Sequence, residues 1–533
     1  MKYFIYRNST IEPLFTEEET LFSGYEDISN VYLNSEINIW FYTVPLKQSD
    51  KKLAEEISGY FNNLMFVYDQ LPQSKLFYVF TLATAFYDNI ITGDFSLNKS
   101  IAQFNLNIYE LAEKNINIKV IDISNFLQNY PFAQIVDWKY YFMSKMPFSL
   151  KLAKDFKYWF NMQVEAIELK RKKCIVLDLD NTLWYGILGE DGINGIKIGG
   201  DYPGNAFLEF QKSLLEISKT GIILTVCSKN NEEDVLELWN NNPFLLIRKE
   251  HFSAYRINWK NKSENIKELA QELNISLDSM IFIDDNPSER ELINQLLPMV
   301  ETPYFPIHPY ELPTFTKLLI NKYFKVYSVT EEDKTKTEQY KARLEGTKLQ
   351  KKYKDFSDYL LSLEIEIQMQ EANQFNISRL AQLTQKTNQF NLTTKRYTEI
   401  EIFNFIQNGN IVYCIDVKDK FGESGITGMA MIKLDFNTNE ANIDSFLLSC
   451  RILGKGIEDV FLTLIINKLK IKKIKKIHSL YVFSQKNNQV ETFYDRIGFS
   501  IISESSQPFL QKHYKIDIDK KIFEYKPFYK LIN

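Results

Sequence analysis

Asp178 and Asp180 follow the apolar run Cys174–Leu177 with one leucine between them. Two carboxylates just beyond a buried strand divide phosphoryl chemistry: one attacks phosphorus while the other moves a proton. Without a cation or a proton, carboxylates this close do not both stay ionised, so a metal belongs with them. Ser228 in TVCSKNN, Lys262 in NWKNKSENI and Asp284-Asp285 in IFIDDNP each stand where a strand ends or a helix begins. The Ser228 hydroxyl, the amides that follow from Lys229, and the Lys262 amine suit a phosphoryl group. Asp178, Asp180, Asp284 and Asp285 make an oxygen-rich set suited to Mg²⁺. Each residue alone would also fit a helix cap or a surface ion pair; their order together carries the reading.

A second group lies near the C-terminus. Arg451-Ile-Leu-Gly-Lys-Gly456 has the Arg-x-x-Gly-x-Gly form, in which Gly454 and Gly456 let backbone amides cradle a pyrophosphate at a helix start. Cys450 precedes that loop, where the helix dipole and the Arg451 charge favour thiolate. Cys174, Cys227 and Cys414 sit in strand-like runs and read as small hydrophobes. A base for Cys450 would come from His251, His308, His478 or His513, of which only His478 begins a strand in the same region. Downstream, NNQVETFYDRIGF places Tyr494 before Gly498-Phe499; together with the glycine loop it resembles the GNAT acetyltransferase fold, which binds coenzyme A or a phosphopantetheine arm.

These residues need elements to hold them. Residues 166–310 alternate strand-like runs (CIVLDLD, GIILTVCS, SMIFIDD) with helical patterns, which predicts an open parallel sheet whose C-terminal edge binds ligands. Residues 1–165 read as a small α/β domain for docking or dimerisation, with 1–36 as a lead-in and strands at INIWFYTVPL, KLFYVFTLAT and INIKVIDI. Residues 311–370 read as a charged helical connector and 371–533 as a mixed-sheet domain. The fold class is thus α/β and multidomain. The basic run Lys468–Ile477 reads as a solvated helix end. The 533 residues exceed one ordinary domain, and 45% hydrophobic with 25% charged content is that of a soluble globular protein. A net charge of -5 argues against nucleic acid. No apolar run approaches a membrane span, and the start lacks a signal peptide's core, so the expected compartment is the cytoplasm. Four scattered cysteines exclude a disulfide framework. About 47 residues separate Asp180 from Ser228, part of them glycine-rich, enough for a flap but not a cap domain. An open site of that kind admits bulky substrates, such as a group borne on another protein.

The order Asp-x-Asp, Ser, Lys, Asp-Asp resembles the haloacid dehalogenase superfamily. By that resemblance Asp178 is the nucleophile and Asp180 the general acid/base, and Mg²⁺ is held by Asp178, the Asp180 carbonyl and Asp285, with Asp284 beside it. Further stretches (CIVLDLDNTLWYGILGEDG, YPGNAFLEFQ, VCSKNNEEDV, FIDDNPSER, RLAQLTQKTNQFNLTTKRY, FLLSCRILGKGIEDVF) resemble the FkbH-like family over about 137–500. The resemblance implies loading of a glyceryl unit from 1,3-bisphosphoglycerate, a phosphorylated three-carbon acyl donor, onto an acyl carrier protein through a Cys450 thioester, as in polyketide-type pathways. Asn388, Gln389, Asn391 and Thr393 fit either a satisfied loop or the lining of the acyl pocket. Tyr185 stands where many relatives carry glycine, and its bulk would narrow the pocket toward a different donor. Two other readings are a plain Mg²⁺-dependent phosphatase with a docking module, and a non-catalytic assembly factor; the complete phosphoryl-transfer set disfavours the latter.

Overall fold

Short runs of Ile, Val, Leu and Phe bounded by polar residues set the strands throughout the chain. The computed structural model describes residues 2–45, 50–83, 91–350, 353–506, 509–519 and 522–532. It comprises two compact units, Met1–Glu168 with Tyr397–Asn408, and Leu169–Arg396 with Gly409–Asn533.

In the first unit β1 (Tyr3–Arg7), β2 (Thr20–Tyr25), β3 (Ile37–Phe41), β4 (Leu76–Phe80) and β5 (Ile118–Ile121) form a parallel sheet in the order β2-β1-β3-β4-β5. Helices Asp50–Gln70 and Ser96–Lys114 bury Trp40, Leu53, Ile57 and Ile101 on one face. Helix Leu150–Ile167 buries Phe41, Phe80, Phe156 and Phe160 on the other. The structure corrects the expectation of a lead-in at 1–36. Residues there supply two strands, and β1, buried on both faces, shows none of the alternation that would have announced it. Helix Glu399–Gln407 also belongs to this unit, where Glu399 lies 3.4 Å from Lys119; 371–533 is therefore not one continuous body.

In the second unit β6 (Cys174–Leu177), β7 (Ile223–Ser228), β8 (Ala254–Ile257) and β9 (Met280–Ile283) are parallel in the order β8-β7-β6-β9. Putting β7, β6 and β9 side by side brings their three polar C-terminal ends to one rim, about 5 Å apart. Residues 311–370 are not a free connector. Leu312, Phe315 and Leu319 of helix Leu312–Leu319 complete the core of this sheet, and Tyr340 of helix Lys336–Gln350 packs with Cys174 and Ile223. Tyr359, Leu360 and Leu363 enter the core of the next sheet instead. Scattered single apolar residues amid lysine and glutamate hid this from sequence.

That next sheet is mixed. β10 (Glu366–Glu371), β12 (Ile411–Asp419), β13 (Gly422–Asp435) and β14 (Glu440–Leu448) are antiparallel neighbours, and β15 (Lys476–Val482) is parallel to β14. β17 (Gln511–Asp517) and β16 (Ser500–Ser505) extend one side, and β18 (Lys530–Ile532) the other. β14 and β15 pair only at residues 440–443 and 476–479. Where they diverge, β11 (Phe390–Asn391) fills the gap, pairing with Leu447 and Leu448. Leu392 continues it, donating to Phe446 O at 3.1 Å and accepting from Val482 N at 2.8 Å. The basic run 468–477 splits between the end of helix Ile457–Ile471 and the start of β15.

Candidate active site

Asp178 leaves β6 buried, and its backbone N–H donates to Ile283 O at 2.9 Å, which ties the end of β6 to the end of β9. Carboxylate oxygens of Asp178, Asp284 and Asp285 lie within 4.8 Å of one another, the one metal-competent cluster among the described residues. Lys262, the first residue of helix Lys262–Leu273, sits between two of them, 3.0 Å from Asp178 and 2.6 Å from Asp284. Asn261 caps that helix through Ser263 N, fixing where the lysine emerges. Arg290 donates to the Asp284 and Asp285 carbonyls at 2.6 and 2.8 Å and holds the turn.

Three carboxylates face one lysine. Burial and the Asp178 charge push Asp284 up to about 7 and Asp285 up to about 6. Burial opposes the Lys262 charge, but Asp178 and Asp284 outweigh it and raise the lysine above its ordinary value. The surplus negative charge, presented wholly by oxygen, suits a hard divalent cation.

Asp180 is held differently. One carboxylate oxygen accepts from Trp184 Nε1 at 2.9 Å and Leu188 N at 3.1 Å, the other from Asn230 Nδ2 at 2.8 Å. Burial leads its environment and raises its pKa. Its side chain is therefore outside the carboxylate cluster, and the role implied for Asp180 at the metal falls to its backbone carbonyl. A carboxyl fixed in orientation, with its pKa pushed up by burial, suits a proton-transfer role.

Ser228 ends β7, buried, at the same rim. The Lys229 amine pairs with Glu289 at 2.7 Å, so the side chain is committed away from a phosphoryl role. The glycine-rich stretch forms a small flap in which Tyr185 and Lys197 exchange backbone bonds at 3.1 and 3.0 Å. Tyr185 does not close the site: with Asn181, Asp285, Arg290, Tyr304 and Phe305 it walls an open cavity of about 370 Å³.

The second group is rearranged relative to expectation. Cys450 is half-buried on a short turn that packs against helix Lys336–Gln350. Arg451 turns inward, donating to Ser449 Oγ at 3.1 Å and to Gln339 Oε1, so it does not face a pyrophosphate. Gly454 and Gly456 have φ of 80° and 69°, as the loop form requires, but a Cβ on Gly456 would lie 2.6 Å from the Tyr529 hydroxyl. The helix that follows opens with Glu458 and Asp459, which repel an anion from that helix start. Tyr494 is fully buried against Phe493, Phe499 and Tyr514, a core residue rather than a pantetheine contact. Asn391 Oδ1 accepts from Thr393 N and Thr394 N at 3.3 and 2.9 Å, shaping its own turn. Gln389 exchanges amide bonds with Asn274 at 2.8 and 2.6 Å, and Asn388 accepts from Arg396. Asn388, Gln389 and Asn391 thus follow the satisfied-loop reading, whereas the buried Thr393 hydroxyl has no hydrogen-bond partner among the described residues. His478 is 2.9 Å from Glu440 and occupied there.

Residues that sequence reasoning missed are Asn230 and Trp184, which orient Asp180, and Arg290, which braces the Asp284-Asp285 turn. Asn230 stands two residues past Ser228, and that proximity was the available signal.

Among known proteins, a family model described as NLI interacting factor-like phosphatase matches residues 173–339. The N-terminal part of BF1531 from Bacteroides fragilis, solved with a phosphatase domain complexed with Mg, is similar at 24% identity and TM-score 0.52, covering 62% of this chain and 94% of that one. The Escherichia coli ribosomal-protein-S18-alanine N-acetyltransferase is similar at 9% identity and TM-score 0.24, covering 29% and 96%. Spermidine N-acetyltransferase from Vibrio cholerae, as its N152L mutant, gives 14%, 0.24, 29% and 95%. No curated protein sequence matches. No described helix is long and apolar enough to cross a membrane. On the carboxylate rim and the matched segment, residues 173–339 are an NLI interacting factor-like phosphatase domain of the haloacid dehalogenase superfamily.

Proposed function

We propose that the chain couples a Mg²⁺-dependent phosphatase to acyl transfer: it takes a glyceryl or related three-carbon acyl group from a phosphorylated donor, such as 1,3-bisphosphoglycerate, and loads it through Cys450 onto an acyl carrier protein. The observation that carries the phosphatase half is the Asp178, Asp284 and Asp285 cluster bridged by Lys262. Asp178, Asp285 and the Asp180 carbonyl would hold Mg²⁺, with Asp284 beside them. When bound, Mg²⁺ supplies charge neutralisation for carboxylates and phosphoryl oxygens alike. An Asp178 oxygen attacks phosphorus, the bond from phosphorus to the leaving oxygen breaks, and Asp180 gives that oxygen its proton. Water then attacks phosphorus and gives a proton to Asp180, the bond from phosphorus to the Asp178 oxygen breaks, and phosphate leaves. Ser228 and Lys262 hold the phosphoryl oxygens.

For the acyl half, the exposure of Cys450 beside a buried set of cations supports a nucleophilic role. The filled gap between β14 and β15 and the acidic helix start argue against a coenzyme A groove of the acetyltransferase kind, so the carrier's thiol approaches Cys450 itself. Those same features favour, as a second reading, a phosphatase whose C-terminal sheet serves only for docking.

Intact-mass spectrometry of the protein with 1,3-bisphosphoglycerate and Mg²⁺, then with a holo carrier protein, separates the two. A glyceryl-sized adduct at Cys450 that moves to the carrier is expected. If Cys450→Ala loads the carrier as well as wild type, the relay is wrong and the phosphatase reading stands. Continued phosphate release by Asp178→Asn at the normal rate would remove the nucleophile assignment.

A further inference from the structure

Behind Cys450 lies a concentration of buried positive charge that the chemistry above does not use. Arg171, Lys173, Lys336, Arg379, Lys386 and Arg451 come together from the start of β6, the helix Lys336–Gln350, the helix Ile377–Lys386 and the Cys450 turn. Their burial is enough to lower the pKa of all six. A single fully buried carboxylate answers three of them: Asp333 lies 3.0 Å from Lys336, 3.4 Å from Lys386 and 3.8 Å from Arg171. The others have only neutral partners. Lys173 donates to Lys386 O at 2.9 Å, Arg379 to Ile426 O and Gln382, and Arg451 to Ser449 and Gln339. The partly buried Glu332 and the buried Asp333 also act on Arg379 and Arg451. Asp278, which acts on Lys173, is already paired with Lys486 at 2.7 Å. Six cations against three carboxylates, Asp333, Glu332 and Asp416, is an imbalance, since buried charges are otherwise paired one for one.

Two further observations place a ligand there. Cys450 adjoins the cluster: Arg451 follows it in the chain, and its turn packs against the helix that carries Lys336. Thr427, whose carbonyl accepts from Ser449 N at 2.6 Å beside the Cys450 turn, is fully buried with a hydroxyl that has no protein partner.

We infer that this cluster is an anion site beside the Cys450 sulfur, and that it receives the phosphoryl group of the acyl donor. The inference rests on the acyl-transfer reading for its place in the reaction. The sulfur forms a bond to the acyl carbon, the bond from that carbon to the phosphate oxygen breaks, and phosphate departs with the electron pair into the cations. The thiol proton leaves with the departing phosphate, which balances the step without a protein base. Burial and the surrounding cations leave Lys386 well below its ordinary value, and Lys336 sits at about 8. Anion binding should raise the values of Lys336 and Lys386, which burial lowers, and so draw protons onto them.

The test is the rate at which neutral iodoacetamide alkylates Cys450, read by peptide mass spectrometry on the full chain with EDTA present and Asp178→Asn in parallel. Inorganic phosphate should slow alkylation saturably, by about tenfold at ~10 times its dissociation constant, while chloride at equal ionic strength does not. Lys386→Met and Arg379→Gln should lose the protection. Should either misfold, phosphate titration of wild type in two buffers at pH 8 should still show proton uptake. A Cys450 rate that phosphate leaves unchanged overturns the anion site, even if the acyl adduct forms. Protection by phosphate without any adduct from the acyl phosphate keeps the anion site and sinks the relay.

Discussion

Replacing Lys262 with methionine removes the one cation among three carboxylates while keeping most of the side chain's volume. At an effective dielectric of about 20, the contacts at 3.0 and 2.6 Å are each worth roughly 5–6 kcal/mol of gross attraction. Desolvation of the three ions cancels much of this, and cutting one member from a buried ionic group costs about 3–5 kcal/mol. In a domain of this size each kcal/mol moves the melting midpoint by about 2–4 °C, so the metal-free variant should melt roughly 10 °C lower at pH 8. Saturating Mg²⁺ should recover part of that loss by supplying the missing positive charge. Phosphate release should stay low, down by about 10²–10³, the usual cost of removing one charge-stabilising donor. Thermal unfolding with EDTA and with Mg²⁺, beside a phosphate-release assay, measures both. A variant that melts within about 2 °C of wild type in EDTA would refute the reasoning, because it would mean that the lysine does not hold the carboxylates together.

Mg²⁺ should stabilise the wild-type phosphatase domain by about 2.7 kcal/mol at 100 times its dissociation constant, and calorimetry with EDTA should reverse the gain. Lys336 has a folded value of about 8, below its ordinary 10.5, so the unfolded chain binds the extra proton between these values. Stability should therefore rise as pH climbs through that window, by up to about 3 kcal/mol, and Lys336→Met should flatten the rise in denaturant titrations at pH 7.5 and 10. Asn391→Ala strips the acceptor from one buried and one partly buried backbone N–H and should cost about 1–3 kcal/mol, read as a lower urea midpoint at unchanged slope.

The phosphatase centre was legible because each of its residues punctuates an apolar run. Asp178, Ser228 and Asp284 follow CIVL, ILTVC and MIFI, and a parallel α/β alternation places such ends on one rim. The side-chain engagement of Asp180 was not legible, since Trp184 and Asn230 reach it only after the chain has folded back. The misreadings share a cause: each hinges on a pairing distant in sequence. Arg451 finds Gln339 across 112 residues and Gln389 finds Asn274 across 115. Likewise β1 could not be read at all without the helices that cover both of its faces.

The two-residue strand lodged between β14 and β15 fixes what the C-terminal sheet can host. An extended thioester arm entering that seam would need the same amides and carbonyls that Phe390, Asn391 and Leu392 already occupy. The chain has in effect swallowed its own peptide there, so anything entering the seam would first have to displace residues 390–392.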